Sequence, residues 1–284
     1  MELLQGKIAL ITGASRGIGE GIARRFAAEG ATVICSARSV LPGKNHLSGS
    51  LSEHVSTIED SGGKAVAMAC DVSSAESRDS LVREVLDRFG HVDILVNNAA
   101  TATYGTLFED TTAEQYLNLF EINLRAPFEF IQRLAPGMKQ RGQGWILNLT
   151  SVTSETPEGP PYDAFNRTGG VVLYGTTKAA IKRLTTGLAA ELDGTGVAVN
   201  ALAPRAVVWT PTVAAMGLEQ ERAAAGWEEE PVEAMAEAAV ALCSGDPRTL
   251  TGRCVYSTPF LKEIGRDVRT LDGRRTLNDW IRPN

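Results

Sequence analysis

The chain has 284 residues, of which 43% are hydrophobic and 22% are charged, and its formal net charge is −6 at pH 7. This composition is typical of a globular protein with a full core and excludes a disordered chain. The net negative charge argues against nucleic acid or an anionic membrane as the main partner, and no apolar run reaches the length of a membrane span. Residues 1–7 lack the pattern of a signal peptide, so we expect a cytoplasmic protein.

Strand and helix patterns alternate from the start of the chain. Residues 7–12 form a continuous apolar run, as expected of a parallel strand buried on both faces, and apolar residues at helical spacing follow it. Further strands are predicted at residues 32–36, 64–70, 92–96, 145–150, 197–202 and 253–256. Repeated β-α-β units predict an α/β fold with a doubly wound, mostly parallel sheet of the Rossmann type in a single domain.

Three segments stand outside this alternation. Residues 39–50 follow the second strand, and residues 155–170 are rich in proline and glycine and are predicted to form a loop. Residues 258–284 form a charged tail, which we expect to pack on or near the same domain. The catalytic domain is therefore predicted to span residues 1–257.

Cysteine and histidine show no metal-binding pattern. The four cysteines are Cys35, Cys70, Cys243 and Cys254, and the three histidines are His46, His54 and His91. No cysteine pair has C-x-x-C spacing, and the histidines are predicted to lie in turn-like or polar surroundings. We therefore predict buried free thiols, no metal site and no Ser-His-Asp chemistry.

A glycine-rich turn joins the first strand to the first helix, with the sequence T-G-A-S-R-G-I-G at residues 12–19. Glycines let the backbone turn sharply and approach a pyrophosphate, and a helix N-terminus favours negative charge. The predicted dinucleotide contacts in this turn are Gly13, Ser15, Arg16, Gly17, Ile18 and Gly19.

The glycine spacing resembles the cofactor loop of short-chain dehydrogenases/reductases, and further motifs similar to that family follow in order over roughly residues 6–257. They are N-N-A-A at residues 97–100, I-N-L around Asn123, L-T-S-V around Ser151, Y-x-x-x-K from Tyr174 to Lys178, and N-A-L-A-P at residues 200–204. The resemblance implies adenine contacts at Asp71 and Val72. The further cofactor contacts that it implies are Asn98, Ala99, Tyr174, Lys178, Pro204 and Thr210.

The predicted catalytic residues are Asn123, Ser151, Tyr174 and Lys178. Tyr174 and Lys178 are four residues apart in a helical pattern and therefore share one face. A free tyrosine has a pKa of about 10, and one cation about 4 Å away supplies roughly the 4 kcal/mol needed to bring that pKa near 7. Tyr174 would then act as an acid/base group, and Ser151 would hold the substrate oxygen. The resemblance implies that Asn123 holds a water that relays protons from Lys178.

A second tyrosine competes for the catalytic assignment. Tyr162 lies nearer the usual family distance from Ser151, but Asn166 stands where the lysine is needed. We therefore assign the role to Tyr174 and interpret residues 155–170 as an insertion between catalytic groups.

The end of the second strand indicates which dinucleotide is bound. Enzymes that use NAD usually place an acidic residue there for the ribose 2′-hydroxyl, but this chain has Ala37 followed by Arg38. Together with Arg16, Arg38 can grip a 2′-phosphate, so NADP(H) is the predicted cofactor.

The sequence thus predicts an oxidoreductase that transfers a hydride between NADP(H) and a small carbonyl or secondary-alcohol substrate. Two alternatives stay open, namely an NADP-binding regulatory protein without turnover and an epimerase or dehydratase of the same family. The resemblance also implies a homodimer or homotetramer formed through the helices around residues 113–138 and 174–192.

Overall fold

A computed structural model describes residues 2–41, 49–215 and 228–277. Its centre is a parallel seven-stranded sheet with the order β3-β2-β1-β4-β5-β6-β7. The strands are β1 Ile8–Thr12, β2 Thr32–Ala37, β3 Lys64–Ala69, β4 Ile94–Asn97, β5 Gly144–Leu149, β6 Val197–Ala203 and β7 Cys254–Tyr256. The predicted doubly wound, single-domain fold is confirmed, and each predicted strand is found with its ends shifted by no more than two residues.

The larger helices cover both faces of the sheet. The helices are α1 Gly17–Ala28, α2 Leu51–Asp60, α3 Ala75–Phe89, α4 Ala113–Phe120, α5 Ala126–Arg141, α6 Ala164–Thr168, α7 Val172–Glu191, α8 Pro211–Ala214, α9 Val232–Ser244 and α10 Ser257–Glu263. One buried apolar cluster joins α1, α2, α9 and α10 to the sheet, and a second joins α3, α5 and α7 to its other face. The strand order reverses between β1 and β4, where doubly wound folds bind their ligands.

The insertion at residues 155–170 is more ordered than the sequence indicates. The prediction of an irregular loop at residues 155–170 is wrong in part, because α6 forms inside it with an Asp163 cap. Asp163 accepts hydrogen bonds from the backbone and side-chain nitrogens of Asn166, which satisfies the first turn of this short helix. Of the insertion at residues 39–50, residues 42–48 lie outside the described part of the chain.

The segment after β7 begins with α10 and then returns across α1 and α9. Phe260, Leu261 and Val268 are buried in the core cluster. Arg266 donates a hydrogen bond to Glu237 of α9, and Glu237 also accepts one from Arg25 of α1. These contacts tie the segment to the helix that begins at the glycine-rich turn, and residues 278–284 lie outside the described part of the chain.

Within the described ranges, none of the helices combines the length and apolar character needed to cross a bilayer.

Candidate active site

The glycine-rich turn packs directly against the end of β4. A Cβ atom added to Gly13 would lie 2.9 Å from the Ala99 Cα, and one added to Gly19 would lie 2.5 Å from the Gly13 carbonyl oxygen. Asn98 donates side-chain hydrogen bonds to the carbonyls of Thr12 and Gly13, at 2.9 and 3.1 Å. The backbone therefore leaves no room for side chains at these glycines, and it presents its own groups to the space in front of the turn.

That space is a cavity of about 340 Å³ at the carboxyl ends of the central strands. The predicted cofactor residues that line it are Gly13, Ser15, Arg16, Gly17, Ile18, Gly19, Arg38, Asp71, Val72, Asn98, Ala99 and Thr210. Three other predicted contacts, Tyr174, Lys178 and Pro204, do not line it. The residues that the sequence spreads over about two hundred positions thus converge on one cavity.

The charge of this cavity suits an anion. The pKa of Arg16 is lowered by burial and by the positive charge of Arg38. Ala37 and Ser39 also line the cavity, so no carboxylate occupies the end of β2. Two converging guanidinium groups and a glycine backbone at a helix N-terminus fit the phosphates of a dinucleotide.

Ser151, Tyr174 and Lys178 are brought together where β5 ends beside α7. Lys178 is almost fully buried, and its ammonium donates a hydrogen bond of 2.9 Å to the Leu149 carbonyl. The Thr150 hydroxyl donates to the Lys178 carbonyl at 3.0 Å, so the strand and the helix are tied at this point. The Lys178 nitrogen lies 5.6 Å from the centre of the Tyr174 ring.

The Tyr174 hydroxyl forms hydrogen bonds with the hydroxyls of Tyr104 and Ser151. Burial raises the pKa of Tyr174, while its hydrogen bonds with Tyr104 and Ser151 lower it, and the net shift is upward. The rings of Tyr104 and Tyr174 are 5.3 Å apart between centroids at an angle of 58°. Burial also lowers the pKa of Lys178 to about 8, so this side chain keeps its charge at neutral pH.

Asn123 lies in a π-helical turn, Glu121–Arg125, between α4 and α5. Its amide nitrogen donates to the Thr101 carbonyl at 2.8 Å and to the Thr177 hydroxyl at 3.1 Å, and its amide oxygen accepts from the Thr101 N–H. Both amide hydrogens are therefore engaged in joining the segment after β4 to α7. A π-turn is often found at functional sites, where it re-aims a side chain.

The competing tyrosine lies in a different environment. Tyr162 is about half exposed, and its ring covers Gly159 within the insertion. The aromatic neighbour of Tyr174 is instead Tyr104, which stands in the segment after β4.

Two polar groups near the site were missed by the sequence reasoning. His54 lies on α2 rather than in a turn, and its surroundings are polar as expected, but its specific partners, Ser15 and Glu20, were not predicted. Glu230 is buried, accepts hydrogen bonds from the Ser257 hydroxyl and the Arg205 N–H, and has a pKa raised by that burial to about 7. The contacts of His54 and of Glu230 join residues that are far apart in sequence, so no local motif could reveal them.

All four cysteines are free thiols, and three of them are buried as predicted. Cys254 is instead partly exposed, contrary to the prediction. No cluster of histidine, cysteine and carboxylate side chains suits a metal ion among the residues that the structure describes.

Comparisons with known proteins show the family to which the chain belongs. A family model described as short chain dehydrogenase matches residues 7–221, and the chain belongs to this family. The ketoacyl reductase HetN of a Nostoc species is 35% identical over 204 residues, which cover 72% of this chain and 64% of HetN, slightly less than two thirds. An uncharacterized oxidoreductase of Methylorubrum extorquens is 31% identical over 265 residues, or 91% of this chain and 98% of that protein.

Solved structures show the same fold. A metagenomic short-chain oxidoreductase in complex with NADP superposes with a TM-score of 0.71 at 27% identity and covers 89% of this chain and 98% of its own. The family assignment therefore rests on similarity in both sequence and fold.

Proposed function

We propose that this protein is an NADP(H)-dependent oxidoreductase that interconverts a carbonyl group and a secondary alcohol. The observation that carries the proposal is the assembly of Ser151, Tyr174 and Lys178 beside a glycine-lined cavity. When bound, the nicotinamide supplies or accepts the hydride, and the remaining chemistry falls to side chains of this chain.

In the direction of reduction, Tyr174 donates the proton that the substrate oxygen needs. The Ser151 hydroxyl, which is hydrogen-bonded to Tyr174, stabilises the negative charge that develops on the substrate oxygen. The Lys178 ammonium stabilises the phenolate that Tyr174 becomes after it gives up its proton. Asn123 holds the Thr101 segment and α7 at a fixed separation and so positions Tyr174.

The preference for NADP(H) rests on the end of β2. The charge of Arg38 is close enough to Arg16 to help burial lower the pKa of Arg16, and an anion between the two side chains would offset that repulsion. The 2′-phosphate is the one anionic group that distinguishes NADP(H) from NAD(H). Neither Ala37 nor Ser39 would repel it.

Cofactor titrations and steady-state rates test this proposal. The unmodified protein is expected to bind NADPH more tightly than NADH, and Arg38→Ala is expected to reduce the difference at least tenfold, or about 1.4 kcal/mol. It should also oxidise NADPH when members of a panel of ketones and aldehydes are added. Equal dissociation constants for the two cofactors would contradict the preference, and binding without turnover of any member would favour a regulatory protein.

We also propose that the protein assembles as a homodimer or homotetramer. Apolar side chains are exposed on the helices expected to pair, including Tyr116 and Leu117 on α4, Phe128 on α5 and Val172 on α7. Of the alanines on α7, Ala179 and Ala190 face outward, whereas Ala189 is buried in the core. Light scattering at micromolar concentration should give a multiple of the 30.3 kDa chain mass, and the monomer mass alone would refute the assembly.

A further inference from the structure

His54 links α2 to the glycine-rich turn through both nitrogens of its ring. Its Nε2 lies 2.5 Å from the Ser15 carbonyl oxygen, and its Nδ1 lies 3.2 Å from a carboxylate oxygen of Glu20 on α1. The side chain is only 12% exposed. A single imidazole thus touches the loop that lines the cavity and the helix that begins there.

Both partners of this ring can only accept hydrogen bonds. A neutral imidazole carries one N–H, whereas the imidazolium carries two. The carbonyl of Ser15 and the carboxylate of Glu20 are therefore satisfied together only when His54 is protonated. The geometry by itself selects the charged form.

The charged groups around the ring act in the same direction. Burial lowers the pKa of His54, but the hydrogen bond and the charge of Glu20, the hydrogen bond to Ser15 and the charge of Glu53 raise it, and the net shift is upward from 6.5. Two arginines also lie near the partners of the His54 ring. Arg24 forms an ion pair with Glu20 at 3.6 Å, and Arg16 donates a hydrogen bond to the Gly49 carbonyl at 3.4 Å.

The contact with Ser15 fixes the orientation of one peptide group. In a trans peptide the C=O and N–H groups point in opposite directions. With the Ser15 carbonyl held toward His54, the Arg16 N–H is directed away from His54, and both Ser15 and Arg16 line the cavity. Backbone N–H groups at the start of a helix are the groups that bind anions.

The backbone at the start of α2 is shaped around the same carbonyl. Gly49 has a φ of +100°, and a Cβ added there would lie 2.5 Å from the Ser15 oxygen and 3.2 Å from the His54 Nε2. Only glycine allows the chain to pass this closely.

We propose that His54 is a cofactor-positioning residue whose proton is bound cooperatively with the dinucleotide. The imidazolium holds the Ser15–Arg16 peptide in the orientation that presents its N–H to an anionic cofactor and adds a positive charge behind the loop. Dinucleotide affinity therefore falls as His54 loses its proton. This inference rests on the proposed function, because it assumes that the cavity takes a dinucleotide.

The test compares NADPH dissociation constants across the range of pH in which histidine titrates, in the unmodified protein and in His54→Gln. Glutamine keeps an N–H donor for Ser15 but carries no charge. The 2′-phosphate of NADPH titrates with a pKa of about 6 and affects both proteins alike. Its effect therefore cancels in the ratio of the NADPH dissociation constants of His54→Gln and the unmodified protein. We expect His54→Gln to bind NADPH about tenfold more weakly at acidic pH, or about 1.4 kcal/mol, and the ratio to approach one as the pH rises above the pKa of His54.

His91→Gln is the matched control. His91 pairs with Asp93 just before β4, at the amino-terminal end of that strand, whereas the cavity lies at the carboxyl ends. Replacing His91 should therefore leave NADPH affinity unchanged at every pH. Glu20→Gln should move the pH dependence toward lower pH, because the carboxylate that raises the pKa of His54 is gone.

An NMR titration of His54 in the unmodified protein gives a second readout. Because linkage is reciprocal, a tenfold effect on affinity requires saturating NADPH to raise the pKa of His54 by about one unit. A ratio that does not change with pH, or a His54 pKa that is the same with and without NADPH, would overturn the inference while leaving the proposed function intact. Failure of the unmodified protein to bind NADPH or NADH would overturn both.

Discussion

The Lys178 ammonium lies 5.6 Å from the centre of the Tyr174 ring, one helical turn further along the same face of α7. At this distance and an effective dielectric constant of about 20, a unit charge contributes about 3 kcal/mol toward an ionised ring. Burial lowers the pKa of Lys178 to about 8, so the charge is present at neutral pH. The charge of Lys178 therefore favours the ionised form of Tyr174, but burial outweighs the groups that lower the pKa of Tyr174, so the predicted fall of that pKa toward 7 is not found in the protein alone.

Replacement of this cation should abolish most of the activity without unfolding the protein. We expect Lys178→Met to lower kcat/KM at least a hundredfold, or about 2.7 kcal/mol. The free energy of unfolding should change little, because the mutation removes a buried charge as well as its single hydrogen bond to Leu149. Denaturant titrations and steady-state kinetics check the two expectations.

Lys182→Met is the matched control, since Lys182 lies on the same helix but pairs with the exposed Glu155. In the unmodified protein and in this control, the rate of reduction should fall as the pH rises through about 8, where Lys178 loses its proton. A rate that is independent of pH across this range would contradict the role given to the ammonium.

A methyl group at Gly19 should block dinucleotide binding. The added Cβ would meet the Asn98 amide nitrogen at 2.4 Å and the Gly13 carbonyl oxygen at 2.5 Å, so the turn must open. We expect Gly19→Ala to weaken NADPH binding by at least tenfold, or about 1.4 kcal/mol, as measured by fluorescence titration.

Gly137→Ala provides the comparison for this change. An added Cβ in the middle of α5 meets only the end of the flexible Arg141 side chain, at 3.4 Å. It should leave NADPH binding intact and raise the free energy of unfolding by about 0.5–1 kcal/mol, because alanine favours a helix. Unchanged NADPH affinity in Gly19→Ala would show that the turn does not hold the cofactor.

Arg78 should be essential to stability, because it is fully buried between α3 and α5. It donates to Glu129 at 2.8 Å and to the Val72 carbonyl at 2.6 Å. Burial raises the pKa of Glu129, but the hydrogen bonds and charges of Arg78 and Arg125 together lower it more. The pair should therefore stabilise the fold at neutral pH and lose that effect as the pH falls from 4.5 through the lower pKa of the folded state.

We expect Arg78→Met to destabilise the fold by about 3 kcal/mol, because it removes the buried partner of Glu129 and leaves that carboxylate only the partly exposed Arg125 and Arg133. The double variant Arg78→Met/Glu129→Leu should recover most of this loss. A double variant no more stable than the single one would mean that the loss does not come from the carboxylate of Glu129.

The insertion at residues 155–170 should act on substrate binding. Its far end is fixed to the segment after Tyr104, because the Gly105 N–H donates to the Gly169 carbonyl at 2.9 Å and an added Cβ at Gly170 would lie 2.5 Å from the Thr106 oxygen. Tyr162 and Phe165 are about half exposed and are available as apolar contacts.

Shortening this insertion to a tight turn should raise KM for a carbonyl substrate at least tenfold, or about 1.4 kcal/mol, while NADPH still binds. Unchanged kinetics in a variant that binds NADPH normally would show that the segment is only a surface elaboration.

Local sequence signals were sufficient for the sheet and for the residues that surround the cavity. Apolar runs located all seven strands, and the glycines, arginines and asparagine that converge on the cavity stand in short motifs at strand ends. Those motifs work because a parallel sheet places the carboxyl ends of its strands at one edge.

Two of the remaining features depend on contacts between distant segments. His54 reaches Ser15 in the glycine-rich turn from α2, and Arg78 on α3 is buried against Glu129 of α5. The helix α6 is not predicted because the prolines and glycines around it suggest a loop, although the local Asp163 cap satisfies its first turn. No window of neighbouring residues contains the pairing of His54 with Ser15 or of Arg78 with Glu129.

The most direct test of the proposed chemistry is the rate of NADPH oxidation by Tyr174→Phe, compared with the unmodified protein, on a carbonyl substrate found in the panel. The variant loses only the hydroxyl that bonds to Ser151 and Tyr104 and keeps the ring beside Lys178. We predict a fall in kcat/KM of at least a hundredfold, or about 2.7 kcal/mol, with an unchanged dissociation constant for NADPH. Equal rates in the two proteins would contradict the assignment of Tyr174 as the proton donor.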